Sequence, residues 1–119
     1  TPAVLPCTYS ENTQTILKYI QDHLLEPITL DELAEHLFLN KYYMCHMFKK
    51  ETGTTIFNYL LLCRLSKAKS LLMQGKNVTE TCYGAGFKDY TNFITSFKKF
   101  TGYTPKKFQK LILNGQNRQ

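Results

Sequence analysis

Tyr42 to Tyr59 reads YYMCHMFKKETGTTIFNY, and 49 residues later Thr91 to Phe108 reads TNFITSFKKFTGYTPKKF. The two stretches are identical at Phe48/Phe97, Lys49/Lys98, Lys50/Lys99, Thr52/Thr101, Gly53/Gly102 and Thr55/Thr104, and Met44/Phe93 is conservative. A repeat within one chain sets the architecture, because each copy is one supersecondary unit. Each copy here carries an apolar stripe at helical spacing, a lysine pair and a terminal glycine. Two such surfaces suit one long, repetitive, acidic ligand, and duplex DNA is the obvious candidate.

The segments around the repeat also read as helix. Ile16, Ile20 and Leu24 recur one turn apart and predict a first helix over about Glu11–Leu25, stopped near Pro27. Thr29 to Glu32 has the form of a capping box, a hydroxyl followed three residues later by an acid. It opens a short helix with Leu30, Leu33, Ala34 and Leu37 inward. Asn40 caps the first copy of the repeated helix, and Gly53 ends it in a left-handed cap. The longest helix follows, over about Thr55–Gln74, with Phe57, Leu60, Leu61, Arg64, Leu65, Ala68, Leu71 and Leu72 on a 3.6-residue period up to Gly75. Asn77 to Glu80 forms a second capping box. Asp89 caps the second repeated helix, Gly102 closes it, and Thr104-Pro105 starts the last helix with proline at its first position.

Short helix, turn and longer helix therefore occur twice, the layout of a helix-turn-helix. The offset is 48 across the short helices (Leu30/Val78, Glu32/Glu80, Ala34/Cys82) and 49 across the longer ones, so the second turn is one residue longer. The expected fold is all-α with about seven helices. Residues 1–10 are expected to be a linker from an upstream domain, 11–53 a first helix-turn-helix, 54–75 a linker helix, 76–114 a second helix-turn-helix and 115–119 a frayed tail.

The bulk properties agree. At 119 residues the chain has room for one compact unit or two small subdomains, and 43% hydrophobic content argues against wholesale disorder. There is no run of eighteen apolar residues and no basic-then-apolar leader, so neither a membrane span nor a secretory signal is expected. Residues 1–40 hold one lysine against six acids, a net of −5, while residues 41–119 hold fourteen basic residues against three acids, a net of +11. That asymmetry favours a polyanionic partner. Cys7, Cys45, Cys63 and Cys82 lie far apart with no C-x2-C pair, which excludes the usual zinc patterns. Reduced thiols in a cytoplasm are the expectation.

Unrolled at 100° per residue, the first repeated helix puts Met44, Met47 and Phe48 inward and Tyr42, His46 and Lys49 outward, flanked by Cys45 and Lys50. The second puts Phe93, Ser96, Phe97 and Phe100 inward and Thr91, Thr95 and Lys98 outward, flanked by Ile94 and Lys99. In a helix-turn-helix the N-terminal residues of the second helix meet base edges. Tyr42, Cys45 and His46 are the candidate readers in one copy and Tyr90, Thr91 and Thr95 in the other. Lys49, Lys50, Lys98 and Lys99 lie a turn later, where phosphates are the target.

The chain resembles the DNA-binding domain of the AraC/XylS family of bacterial transcription regulators over about Glu11–Leu113. The stretches that carry the resemblance are LDELAEHL (Leu30–Leu37), MFKKETG (Met47–Gly53), RLSKAKSLL (Arg64–Leu72) and GFKDYTNFITSFKKFTGYTP (Gly86–Pro105). In the last, Gly86-Phe87, Phe93, Phe97, Lys98, Gly102 and Pro105 are in register with the family. The resemblance implies two helix-turn-helix subdomains joined by a linker helix, with recognition helices in successive major grooves. It implies promoter DNA and RNA polymerase as partners, a sensing or dimerising domain upstream, and no cofactor or catalytic group. Arg64 matches the family's linker-helix arginine, and its place on the apolar face predicts a buried ion pair with Asp31 or Glu32.

The chain departs from the family at several points. His46 and Thr95 stand where the family often has arginine, so readout is expected to lean more on water and DNA shape. Thr81-Cys82 replaces a usual Ile-Ala pair, which predicts a less tightly packed second core. Leu61 and Leu62 replace common basic residues. These departures motivate the competing reading, a protein-interaction module with only weak, non-specific DNA affinity. A Cys45-His46 thiol enzyme is poorly served, because adjacent helical residues point about 100° apart.

Overall fold

A computed structural model of the protein describes residues 9–117. The expected linker lies outside them up to residue 8, and Arg118 and Gln119 also lie outside. Among the described residues there are seven helices and no strand: α1 (Glu11–Asp22), α2 (Leu30–Leu37), α3 (Lys41–Thr52), α4 (Ile56–Met73), α5 (Val78–Gly84), α6 (Tyr90–Thr101) and α7 (Pro105–Asn117). The chain divides into two compact units, one ending at Leu60 and the other starting at Leu61, so α4 gives its first turns to one unit and the remainder to the other.

In the first unit α3 packs on α1 and α2. Ile16, Ile20, Leu33, Met44 and Phe48 are fully buried. At roughly 1.5–3 kcal/mol for each large apolar side chain removed from water, they are the main source of the unit's cohesion. In the second unit α6 packs on α5 and α7. Its core joins Leu65, Ala68 and Leu72 of α4 to Cys82, Phe87, Phe93 and Phe97. Phe87, Phe93, Phe97 and Phe108 make a run of ring contacts with centroids 4.9, 5.8 and 5.3 Å apart. The Phe93–Phe97 and Phe97–Phe108 contacts are edge-to-face, a geometry that adds to simple area burial.

The predicted caps are present. Asn40 Oδ1 accepts from the Tyr42 and Tyr43 amides at 2.9 and 3.2 Å. Asp89 Oδ1 accepts from the Asn92 amide at 3.1 Å. The reciprocal box closes in α5, where Asn77 Oδ1 accepts from the Glu80 amide at 2.8 Å and Glu80 Oε1 accepts from the Asn77 amide at 3.2 Å. In α2 the box is only half made. Thr29 Oγ1 accepts from the Glu32 amide at 3.1 Å, but Glu32 Oε1 takes the Thr29 hydroxyl at 3.0 Å and not the backbone amide.

Several expectations are corrected. The first helix ends at Asp22, not near Leu25, because His23 leaves helical geometry (φ −118°, ψ 26°) and stacks on Tyr19 with ring centroids 4.2 Å apart. Phe100, expected inward, is 44% exposed, and Phe57, on the predicted apolar stripe of α4, is 54% exposed. Each lies near a helix end, where periodicity names a face but no second layer reaches it. The last helix runs through Gly115 to Asn117, past the expected fraying point. Its Gln109 amide group donates to the Leu72 and Lys76 carbonyls at 2.9 and 2.7 Å and so satisfies acceptors at the end of α4.

Candidate nucleic-acid interface

Helices α3 and α6 are held by the same devices. Two buried anchors one turn apart, Met44 and Phe48 or Phe93 and Phe97, fix the inner face of each. Gly53 and Gly102 end them in left-handed geometry (φ 82° and 85°), each donating its amide to the lysine carbonyl four residues back at 2.8 Å. Thr52 and Thr101 donate their hydroxyls to the Phe48 and Phe97 carbonyls at 2.7 and 2.8 Å. A side chain at a given repeat position therefore leaves its helix in the same direction in either copy.

The outer faces carry the residues singled out from sequence. Tyr42 is 74% exposed, and His46, Tyr90, Thr91 and Thr95 are exposed too. Cys45 is half-buried. Ile94, its counterpart, is packed against the second core. Lys49, Lys50, Lys98 and Lys99 are exposed in the last turns, where the helix dipole favours a cation. Pro105 is fully buried as the first residue of α7, and Phe87 is buried beneath α6. Arg64 is half-buried, and burial holds its guanidinium below the usual arginine range. Asp31 pairs with Lys41 at 3.1 Å, and Glu32 Oε1 accepts from the Thr29 hydroxyl.

Glu51, the one acid in α3, is drawn aside. Its Oε1 accepts from the Ser10 amide at 2.6 Å, at the N-terminus of α1. That backbone hydrogen bond, helped by the Ser10 and Thr13 side chains and by Lys50, holds the carboxyl below the usual glutamate range. A bond spanning 41 residues leaves no local signature in the sequence.

A hollow of about 360 Å³, lined by Leu30, Cys45, His46, Lys49, Thr55, Ile56 and Phe57, opens beside the outer face of α3. Phe57 was missed as part of this surface. Its signal was the repeat itself, which pairs Phe57 with Lys106. Among the described residues no group of three or more His, Cys, Asp or Glu could hold a metal, and no helix is long and apolar enough to cross a membrane. Cys45 and Cys82 are free thiols, and burial, with Asp89 nearby, pushes the Cys82 thiol up.

Comparison with known proteins agrees with this geometry. A family model described as a helix-turn-helix domain matches residues 33–111. An uncharacterized HTH-type transcriptional regulator of Pseudoalteromonas carrageenovora is 37% identical over 97 residues, which is 82% of this chain and 58% of that protein. The bifunctional transcriptional activator/DNA repair enzyme AdaA of Bacillus subtilis is 35% identical over 86% of this chain and 49% of its own length. The chain thus spans about half the length of these relatives. Among solved structures, the C-terminal domain of AraT, a response regulator from Geobacillus stearothermophilus, superposes with a TM-score of 0.84 at 28% identity, covering 88% of either chain.

Proposed function

The chain belongs to the AraC/XylS family of helix-turn-helix transcription regulators, and from that membership we infer that it is a sequence-specific duplex-DNA-binding domain. The observation that carries this reading is the recurrence, on α3 and α6, of one exposed face with hydrogen-bonding groups first and a lysine pair a turn later. Tyr42, Cys45 and His46 read base edges in one major groove, and Tyr90, Thr91 and Thr95 in the next, about 34 Å along the duplex. Lys49, Lys50, Lys98 and Lys99 neutralise phosphates and supply sequence-blind affinity. The full protein acts in the cytoplasm at promoters, with RNA polymerase as partner and a sensing or dimerising domain on the same chain.

Selection of bound sequences from random duplexes at moderate salt tests this. Two enriched patches about one helical turn apart are expected. His46→Ala should relax the preference in one patch and Thr95→Ala in the other, whereas Lys49→Gln and Lys98→Gln should weaken all duplexes alike. Binding without enrichment, or no binding, would favour a protein-interaction module. The observation behind that second reading is the exposure of Phe38, 95%, together with that of Leu62.

A further inference from the structure

Aligning the repeat past its recognition helices sets α7 against the first turns of α4. Thr104 then matches Thr55, and each caps its helix: Thr104 Oγ1 accepts from the Lys107 amide at 3.3 Å and Thr55 Oγ1 from the Asn58 amide at 3.1 Å. Phe108 matches Tyr59, and each meets the second anchor of its recognition helix edge-on, at 5.3 Å to Phe97 and 6.0 Å to Phe48. The backbones and inner faces correspond, yet the outer faces do not. At the positions where α4 has Phe57, Asn58 and Leu61, α7 has Lys106, Lys107 and Lys110.

Those lysines are badly placed for folding. Lys106 and Lys107 follow Pro105 directly, in the first turn of α7, which contains no acid. A cation there faces the positive end of the helix dipole. The lysine pairs of α3 and α6 lie at the opposite, favourable end of their helices. No Asp or Glu occurs anywhere in residues 90–119, so no acid of α6 or α7 itself offsets the charge. Lys106, Lys107 and Lys110 also lie together with Thr104, Leu111 and Asn114 on one open face of α7. A solvated face kept for solubility does not need this position.

We propose that the N-terminal half of α7 is a second backbone-gripping surface of the DNA-binding domain, with Lys106, Lys107 and Lys110 holding phosphodiester oxygens of the duplex. It rests on the DNA-binding reading above and deepens it. The two units then share the work unequally. The second grips the backbone through two helices, α6 and α7. The first contacts it through α3 beside an apolar hollow and depends more on its base contacts.

The test is the salt dependence of binding to one labelled duplex, for the unaltered chain, for Lys106→Gln/Lys107→Gln/Lys110→Gln, and for Lys67→Gln/Lys69→Gln/Lys76→Gln as a control of equal charge. Each lost phosphate contact lowers the slope of log K against log salt by about 0.9. The α7 triple variant should therefore lose roughly 2–3 units of slope, with a helical circular-dichroism melt no lower than that of the unaltered chain, and the control clearly less. An α7 variant with the slope of the unaltered chain, or a control that loses as much, overturns the proposal. An unaltered chain with no salt-sensitive duplex binding removes the DNA-binding reading itself, and this surface with it.

Discussion

The two units share a backbone plan and differ in what each allows inside it. Leu33 in α2 is fully buried in the first core. Its equivalent in α5, Thr81, is equally buried, and its hydroxyl has no hydrogen-bond partner. The turns after these helices make the same two bonds: Phe38 and Gly86 amides to Glu35 and Tyr83 carbonyls at 3.2 Å, and Leu39 and Phe87 amides to Ala34 and Cys82 carbonyls at 3.0 Å. Both turns need a left-handed residue. The second uses Gly86 (φ 96°), whereas the first uses Phe38 (φ 57°). The longer second turn is accounted for by Lys88, inserted before the Asp89 cap. A repeat therefore conserves hydrogen-bond geometry more strictly than core composition, because the geometry must close while a core tolerates substitutes.

The largest effects should come from exchanging the core residues. Leu33→Thr puts a hydroxyl and a smaller side chain into a packed site and should destabilise the chain by about 3 kcal/mol. Thr81→Val removes a buried, unpartnered hydroxyl at nearly constant volume and should stabilise it by about 1 kcal/mol. Equilibrium denaturation in urea reads either change. If Thr81→Val is neutral or harmful, the hydroxyl finds a partner in solution and the second core is not the weaker one.

Exchanging the turn residues should matter less. Gly86→Ala forces a Cβ onto a buried left-handed residue and should cost about 1–2 kcal/mol. Phe38→Gly relieves that same cost but loosens the unfolded chain, for a net gain of about 0.5 kcal/mol. Because Phe38 is 95% exposed, the change gives up little packing. A loss of stability in Phe38→Gly would show that the ring makes a contact in solution that this turn does not explain.

Local rules carried most of the architecture. Helix period, caps and terminal glycines placed all seven helices, since each depends on residues within one turn of one another. The repeat placed the outer faces of α3 and α6 for the same reason. What escaped was non-local. The Ser10–Glu51 and Gln109–Leu72 bonds join residues 41 and 37 apart. Phe57 and Phe100 fit the period of an apolar stripe, yet burial needs a second surface that no periodicity supplies. The Lys41–Asp31 pair likewise joins α3 to α2, a contact that spacing along a single helix does not reveal.

The smallest effect distinguishes the units by pH. Glu51 in α3 is matched in α6 by Phe100, which cannot titrate. The Ser10 amide lowers the Glu51 pKa in the folded chain. A carboxyl with a depressed folded pKa adds stability above its unfolded value, about 4.3 for glutamate, and loses it as pH falls through the folded value. Glu51→Gln keeps an acceptor for Ser10 but no titration. The unaltered chain should therefore be slightly more stable than Glu51→Gln at neutral pH, and the gap should close in melts taken from pH 7 down to pH values below about 4. The effect is small because Glu51 faces solvent, where screening weakens a charged partner. A gap that persists unchanged into acid would mean that the substitution acts through packing near Ser10 and Thr13, and that the charge of Glu51 is not what ties α1 to α3.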